Sequence, residues 1–132
     1  MPVSLARNVL GALVGGRADA ARHDLREAVA DERMLLGPVA AHYRGSTGGH
    51  PRAKASGTLV LTPTRVLFRR SVGGPLDVDL RTVTGVSSVR TFAGSFSEGQ
   101  SHLVLHTADG DLAWFVPDVA RWRNTVEAAI SR

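Results

Sequence analysis

Hydrophobic and polar positions along the 132-residue chain change period near Gly37-Pro38, and that change divides it. Before it, Ala21, Leu25, Ala28 and Val29 recur at the i, i+4, i+7, i+8 spacing of one helical face, with Asp19 placed as a cap, so residues 19–33 are expected to be helical. After it the period is two. Val39, Ala41 and Tyr43 alternate with Ala40 and His42 as a first strand, and Thr58–Thr62 and Arg65–Arg69 form a second and third around Pro63. Leu76, Val78 and Leu80 alternate with Asp77 and Asp79 in a fourth, and Val83–Arg90 makes a fifth. Thr91–Gln100 reads as a loop, His102–His106 as a sixth strand, and Asp109-Gly110 as a hairpin turn into a seventh, Leu112–Val116. Pro117 then opens a helix with Val119, Trp122, Val126 and Ile130 on one stripe.

Seven short strands and one closing helix, with hairpin-length connections, predict a mainly β fold with some α. The expected architecture is an antiparallel, bent sheet or partly open barrel capped by the C-terminal helix. Residues 1–32 are expected to be an N-terminal helical extension and 33–132 the domain. Residues 1–17 carry Leu5, Val9 and Leu13 at helical spacing, which favours a short docking helix. Ala18-Asp19-Ala20 imitates a leader cleavage site, but Asn8, Gly11, Gly15 and Gly16 dilute the apolar stretch before it, and a cytoplasmic location is expected.

The run Gly57-Thr58-Leu59-Val60-Leu61-Thr62-Pro63-Thr64-Arg65-Val66-Leu67-Phe68 resembles the G-x-L-x-L-T-x-x-R-L-x-F hairpin of GRAM and bacterial pleckstrin-homology-like domains. Leu76–Val86 is similar to their next strand and turn, and the Asp-Gly hairpin, Phe115 and the helix bearing Trp122 to their ending. The resemblance covers about residues 33–131 and implies a PH-like fold and a binding function without catalysis.

Composition narrows the chemistry. Cysteine is absent, which removes disulfides, thiol nucleophiles and thiolate zinc sites. The net charge of +4 is unevenly spread: between Arg33 and Leu76 there are seven cations and no acid, while the remainder carries nine cations against twelve anions. One basic region facing an anionic partner is the implication. Within it, Arg44 followed by Arg52-x-Lys54 is similar to the K/R-x(7–13)-R/K-x-R arrangement by which some pleckstrin homology domains hold phosphoinositide headgroups. That resemblance places Arg69 and Arg70 on the same rim, together with the Asp109-Gly110-Asp111 turn, whose carboxylates would neutralise Arg69.

Other motifs carry less. On a strand, His102 and His106 share a face but stand about 13 Å apart, too far to share a metal, and no metal or cofactor is expected. Ser95-Phe96-Ser97-Glu98-Gly99 departs from a nucleophile elbow by one residue and lacks its strand-to-helix context. The aspartate pairs at 77/79 and 109/111 read as solvated. Phe92 and Phe96 are candidate partner contacts, but folding back over a core edge is the favoured reading. Stacking aromatics do not interleave with the cations, which argues against nucleic acid. Leu59, Leu61, Val66, Phe68, Val78 and Leu103 are bulky enough to fill the interior, which argues against a ligand carrier. The expected function is a binding module that engages a protein partner, with anionic lipid headgroups as the second reading.

Overall fold

The computed structural model describes residues 23, 25–30, 32–96 and 99–131. The readings made for residues 1–22, and for Ser97 and Glu98, fall outside them. Among the described residues nine strands form: β1 (Leu36–Ser46), β2 (Ala55–Leu61), β3 (Arg65–Arg70), β4 (Pro75–Asp79), β5 (Val83–Val89), β6 (Thr91–Phe92), β7 (Ser95–Phe96), β8 (His102–Thr107) and β9 (Gly110–Phe115). A single turn of 3₁₀ helix, Leu80–Thr82, joins β4 to β5, and the C-terminal helix spans Val119–Ile130. The main sheet has seven antiparallel strands in the order β4-β3-β2-β1-β9-β8-β5.

That order forces a bend. β4 and β5 are opposite edges, which a flat sheet of seven strands would hold about 29 Å apart at ~4.8 Å per spacing. Yet Asp79 and Val83 are joined by only three residues, a link that spans at most about 14 Å. The sheet therefore curls until its edges approach at this corner and stays open there. The C-terminal helix covers the opening with Trp122, Val126 and Ala129 buried, and Val119 and Ile130 as partly buried flanks. It begins at Val119, two residues later than Pro117 implies, after Asp118 in a left-handed conformation (φ 53°).

Inside the bend, the six interior residues expected from alternation all belong to the main core. Tyr43, Phe68 and Trp114 meet at its centre, with ring centroids 5.2–6.1 Å apart. Gly57 leaves room for them: a Cβ there would lie 2.9 Å from two carbons of the Phe68 ring and 2.3 Å from the Arg69 carbonyl oxygen.

β1 is longer than its alternation implies because it serves two neighbours. Its first part pairs with β2, from Leu36↔Leu61 to Tyr43↔Ala55, and its end pairs with β9 through Ser46↔Leu112. Irregularities between Leu36 and Val39 and between Tyr43 and Gly45 absorb the two registers, so Gly37-Pro38 lies inside the strand instead of before it.

The outer face of the sheet is covered in two places. Leu25 and Val29 of the short N-terminal helical segment bury Val60 and Leu67. Arg65 latches that segment, donating from Nε to Glu32 (2.9 Å) and from Nη2 to the Ala28 carbonyl (2.8 Å). The second cover corrects an expectation: Thr91–Gln100 is not wholly a loop, because β6 and β7 pair as a hairpin. Its two-residue turn, Ala93-Gly94, has positive φ at both positions (47° and 80°), the geometry of tight hairpins. Alanine is an unusual occupant of that conformation, so the sequence gives no turn signal there.

Candidate functional site

The loops after β1 and β3 lie at one end of the sheet and make the basic rim. Ser71 N–H donates to the Ser56 carbonyl (2.9 Å), which joins the β3–β4 loop to the start of β2. The β1–β2 loop is pinned from inside by the Tyr43 hydroxyl, which donates to the Pro51 carbonyl (2.5 Å). Its flank is held by Thr47 N–H to Asp111 O (3.0 Å) and Gly49 N–H to Asp109 O (2.7 Å). Burial pushes the Tyr43 phenol up to about 12, against an opposing pull from Arg70.

The five expected cations are not one cluster. Arg52 and Lys54 are exposed on the β1–β2 loop. Arg70 donates from Nε to the Gly74 carbonyl (2.7 Å) and braces the β3–β4 turn. Strand alternation puts Arg69 on the outer face and Arg70 on the inner, and Arg44 lies on the outer face against Phe115. Arg69 forms an ion pair with Asp77 of β4, not with the Asp109-Gly110-Asp111 turn. Asp77 directly follows Leu76, the last residue of the acid-free stretch, and the β3–β4 register pairs it with Leu67, on the same face as Arg65 and Arg69 and diagonal to both. Asp77 and Asp79 are thus ion-paired, Asp79 with Arg81 (2.8 Å). Among the described residues no carboxylate pairs with Arg44, Arg52, Lys54 or Arg70. At the tip of the β3–β4 loop Val72 is 68% exposed.

Arg44 leads from the rim to the hairpin. Its guanidinium lies 5.0 Å from the centre of the Phe115 ring, and its Nε donates to Ser95 Oγ (2.8 Å). Ser95 Oγ also meets His102 Nε2 (3.0 Å), and His102 Nδ1 meets the Val89 carbonyl (3.1 Å). Proton accounting fixes every role. Val89 O only accepts, so Nδ1 carries the imidazole proton; Nε2 therefore accepts, and the Ser95 hydroxyl donates to it. His102 and Ser95 are both buried. Burial holds His102 below the ordinary imidazole value, opposed by the Val89 carbonyl and reinforced by the charges of Arg44 and Lys54. Phe92 is buried against Val104 and Ala113, whereas Phe96, four residues on, is 60% exposed.

His106 belongs to a different network, one the sequence reading did not find. Its Nε2 meets Ser87 Oγ (2.8 Å) and its Nδ1 meets Asp111 Oδ1 (2.9 Å). The order is that of a nucleophilic triad, but Ser87, His106 and Asp111 line none of the cavities beside Thr64, Gln100 and Leu36. Its place across β5, β8 and β9 makes it a cross-strand brace. Only the register, which brings Gly85 beside His106 and His106 beside Asp111, reveals it. Among the described residues no three His, Asp or Glu side chains converge on a metal site. A cavity of about 860 Å³ opens at the end of β2–β3 away from the rim, with Leu80, Val83, Ala129 and Ile130 among its lining. Its flanking charges, Arg65 and Asp77, Asp79 and Arg81, are already paired.

No protein-family model and no curated protein sequence matches the chain. Among solved structures it is similar to the C-terminal domain of an unknown protein from Leishmania infantum, with a TM-score of 0.55 at 10% identity. The match covers 86% of this chain and 98% of that one. At that identity the likeness is one of fold alone.

Proposed function

We propose that this protein is a non-catalytic binding module, PH-like in character, that docks on an anionic membrane surface through the rim of its β1–β2 and β3–β4 loops. One observation carries the reading: Arg44, Arg52, Lys54 and Arg70 have no carboxylate partner among the described residues, and the exposed Val72 projects from the same rim. Basic residues near an anionic leaflet each contribute about 1 kcal/mol, and an apolar tip among them adds a second, salt-insensitive contact. Among the described residues no helix is long and apolar enough to cross a membrane, so attachment in this reading is peripheral. The bent seven-stranded sheet closed by one helix supports the PH-like character.

Co-sedimentation with vesicles tests it. Binding is expected to vesicles containing anionic lipid and not to neutral ones. Arg52→Glu should weaken it at least ~10-fold at low salt, since reversal removes one attraction and adds a repulsion. Val72→Asp should weaken it at all ionic strengths, and Arg121→Glu, on the exposed side of the C-terminal helix, should change it little. Equal losses for Arg52→Glu and Arg121→Glu would show diffuse attraction instead of a site. No binding at all would leave the second reading, a protein partner, which the exposed Phe96 ring favours.

A further inference from the structure

We infer that the β6–β7 hairpin is an acid-released strap, latched by a chain from half-buried Arg44 through buried Ser95 to buried His102, and that its release frees Arg44 from the fixed orientation the rim uses. The Arg44 half rests on the membrane-docking reading; the strap itself does not.

The latch works in one protonation state only. With His102 neutral, each proton has an acceptor: Arg44 Nε–H to Ser95 Oγ, Ser95 O–H to His102 Nε2, and His102 Nδ1–H to Val89 O. A proton added at Nε2 turns that nitrogen into a donor. Ser95 Oγ would then receive two cationic N–H groups while its own hydrogen lost its acceptor. The buried imidazolium would also face Arg44 of β1 and Lys54 of the β1–β2 loop. The other groups around the ring are the carbonyls of Val89 and Arg90 and the rings of Phe92 and Phe115. Among the described residues no carboxylate contributes to its charge balance. Burying an unpaired charge beside like charges is costly, and the strap is a small element: two pairs of residues, held by the latch and by Phe92 on Val104 and Ala113. Opening lets water reach the imidazolium and removes the serine that holds the Arg44 guanidinium over Phe115.

The size of the switch follows from linkage. A histidine that titrates near pH 6.5 when the strap is open and lower when it is closed favours opening at most about elevenfold more at pH 5.5 than well above its titration. Amide hydrogen exchange of residues 91–96, corrected for the intrinsic pH dependence, reads that ratio without any ligand. Protection is expected to fall from pH 7.5 to 5.5 in the wild type, by up to about tenfold. In His102→Gln, whose carboxamide accepts from Ser95 and donates to Val89 but does not titrate, it should stay constant. Ser95→Ala keeps the histidine but breaks the latch, so its hairpin should exchange faster already at pH 7.5. PH-independent protection in the wild type, or the same acid loss in His102→Gln, overturns the inference. Binding to anionic vesicles should be equal for wild type and His102→Gln at pH 7.5 and weaker for wild type at pH 5.5 in proportion to the open fraction that exchange reports there. An unchanged ratio at a pH where exchange shows the strap mostly open overturns the coupling to Arg44. Absence of vesicle binding by both proteins at both pH values overturns the docking reading together with that coupling, while exchange still decides the strap.

Discussion

Replacing Gly57 with alanine tests whether the centre of the domain is built as described. The added Cβ would stand 2.3 Å from the Arg69 carbonyl oxygen and 2.9 Å from two carbons of the Phe68 ring, whereas unstrained carbon contacts begin near ~3.5 Å. Neither neighbour yields easily. Arg69 sits in the β2–β3 ladder opposite Thr58, and Phe68 is fully buried between Tyr43 and Trp114. Overpacking of a well-filled core costs about 1–3 kcal/mol, and a backbone obstacle puts this case at the upper end, about 3 kcal/mol. For a domain near this size each kcal/mol lowers Tm by roughly 2–5 °C, so Gly57→Ala should melt about 10 °C below the wild type. Gly74→Ala is the comparison, because its Cβ would meet only the end of the Arg70 side chain at 3.7 Å, and its effect should stay within about 0.5 kcal/mol. Differential scanning calorimetry measures both. Equal melting temperatures for Gly57→Ala and wild type would refute the packing of Phe68 against β2.

Arg65→Met should loosen the N-terminal helical segment, costing about 2 kcal/mol in charge-assisted hydrogen bonds to Glu32 and the Ala28 carbonyl; faster amide exchange at residues 25–30 with an unchanged sheet would show it. The hydrogen bond from Arg65 holds the Glu32 carboxyl below its usual range. Its contribution is therefore complete above the unfolded value near pH 4.3 and is lost as acid protonates it, and urea midpoints of Glu32→Gln should lack that part of the acid slope. Tyr43 is the chain's single tyrosine, so phenolate absorbance reports it alone. With its folded value raised to about 12, stability is complete below pH 10 and falls as pH rises from about 10 to 12, a slope that Tyr43→Phe should flatten.

Strands with one wet face were legible because alternation is a local signal. Leu76, Val78 and Leu80 declare an inner face, and the structure buries all three. Elements stabilised by distant partners were not. The ends of β1 depend on where β9 lies, some seventy residues away, and β6–β7 depends on a turn through Ala93 that only a covering role explains. For the candidate site, the acid-free stretch identified the cations but not their grouping. Pairing of Arg69 with Asp77 follows from the β3–β4 register, and the burial of His102 follows from a hairpin that residue types alone do not announce.

The corner where β4 and β5 approach has a consequence for self-association. Open sheets aggregate through edges that offer rows of free amides and carbonyls. Here one edge, β4, is five residues long, starts with a proline and carries charges at Asp77 and Asp79, while the C-terminal helix packs along the other, β5. Neither edge is a template for a second copy to add a strand. Crowded solutions of this protein should therefore resist edge-to-edge fibril growth.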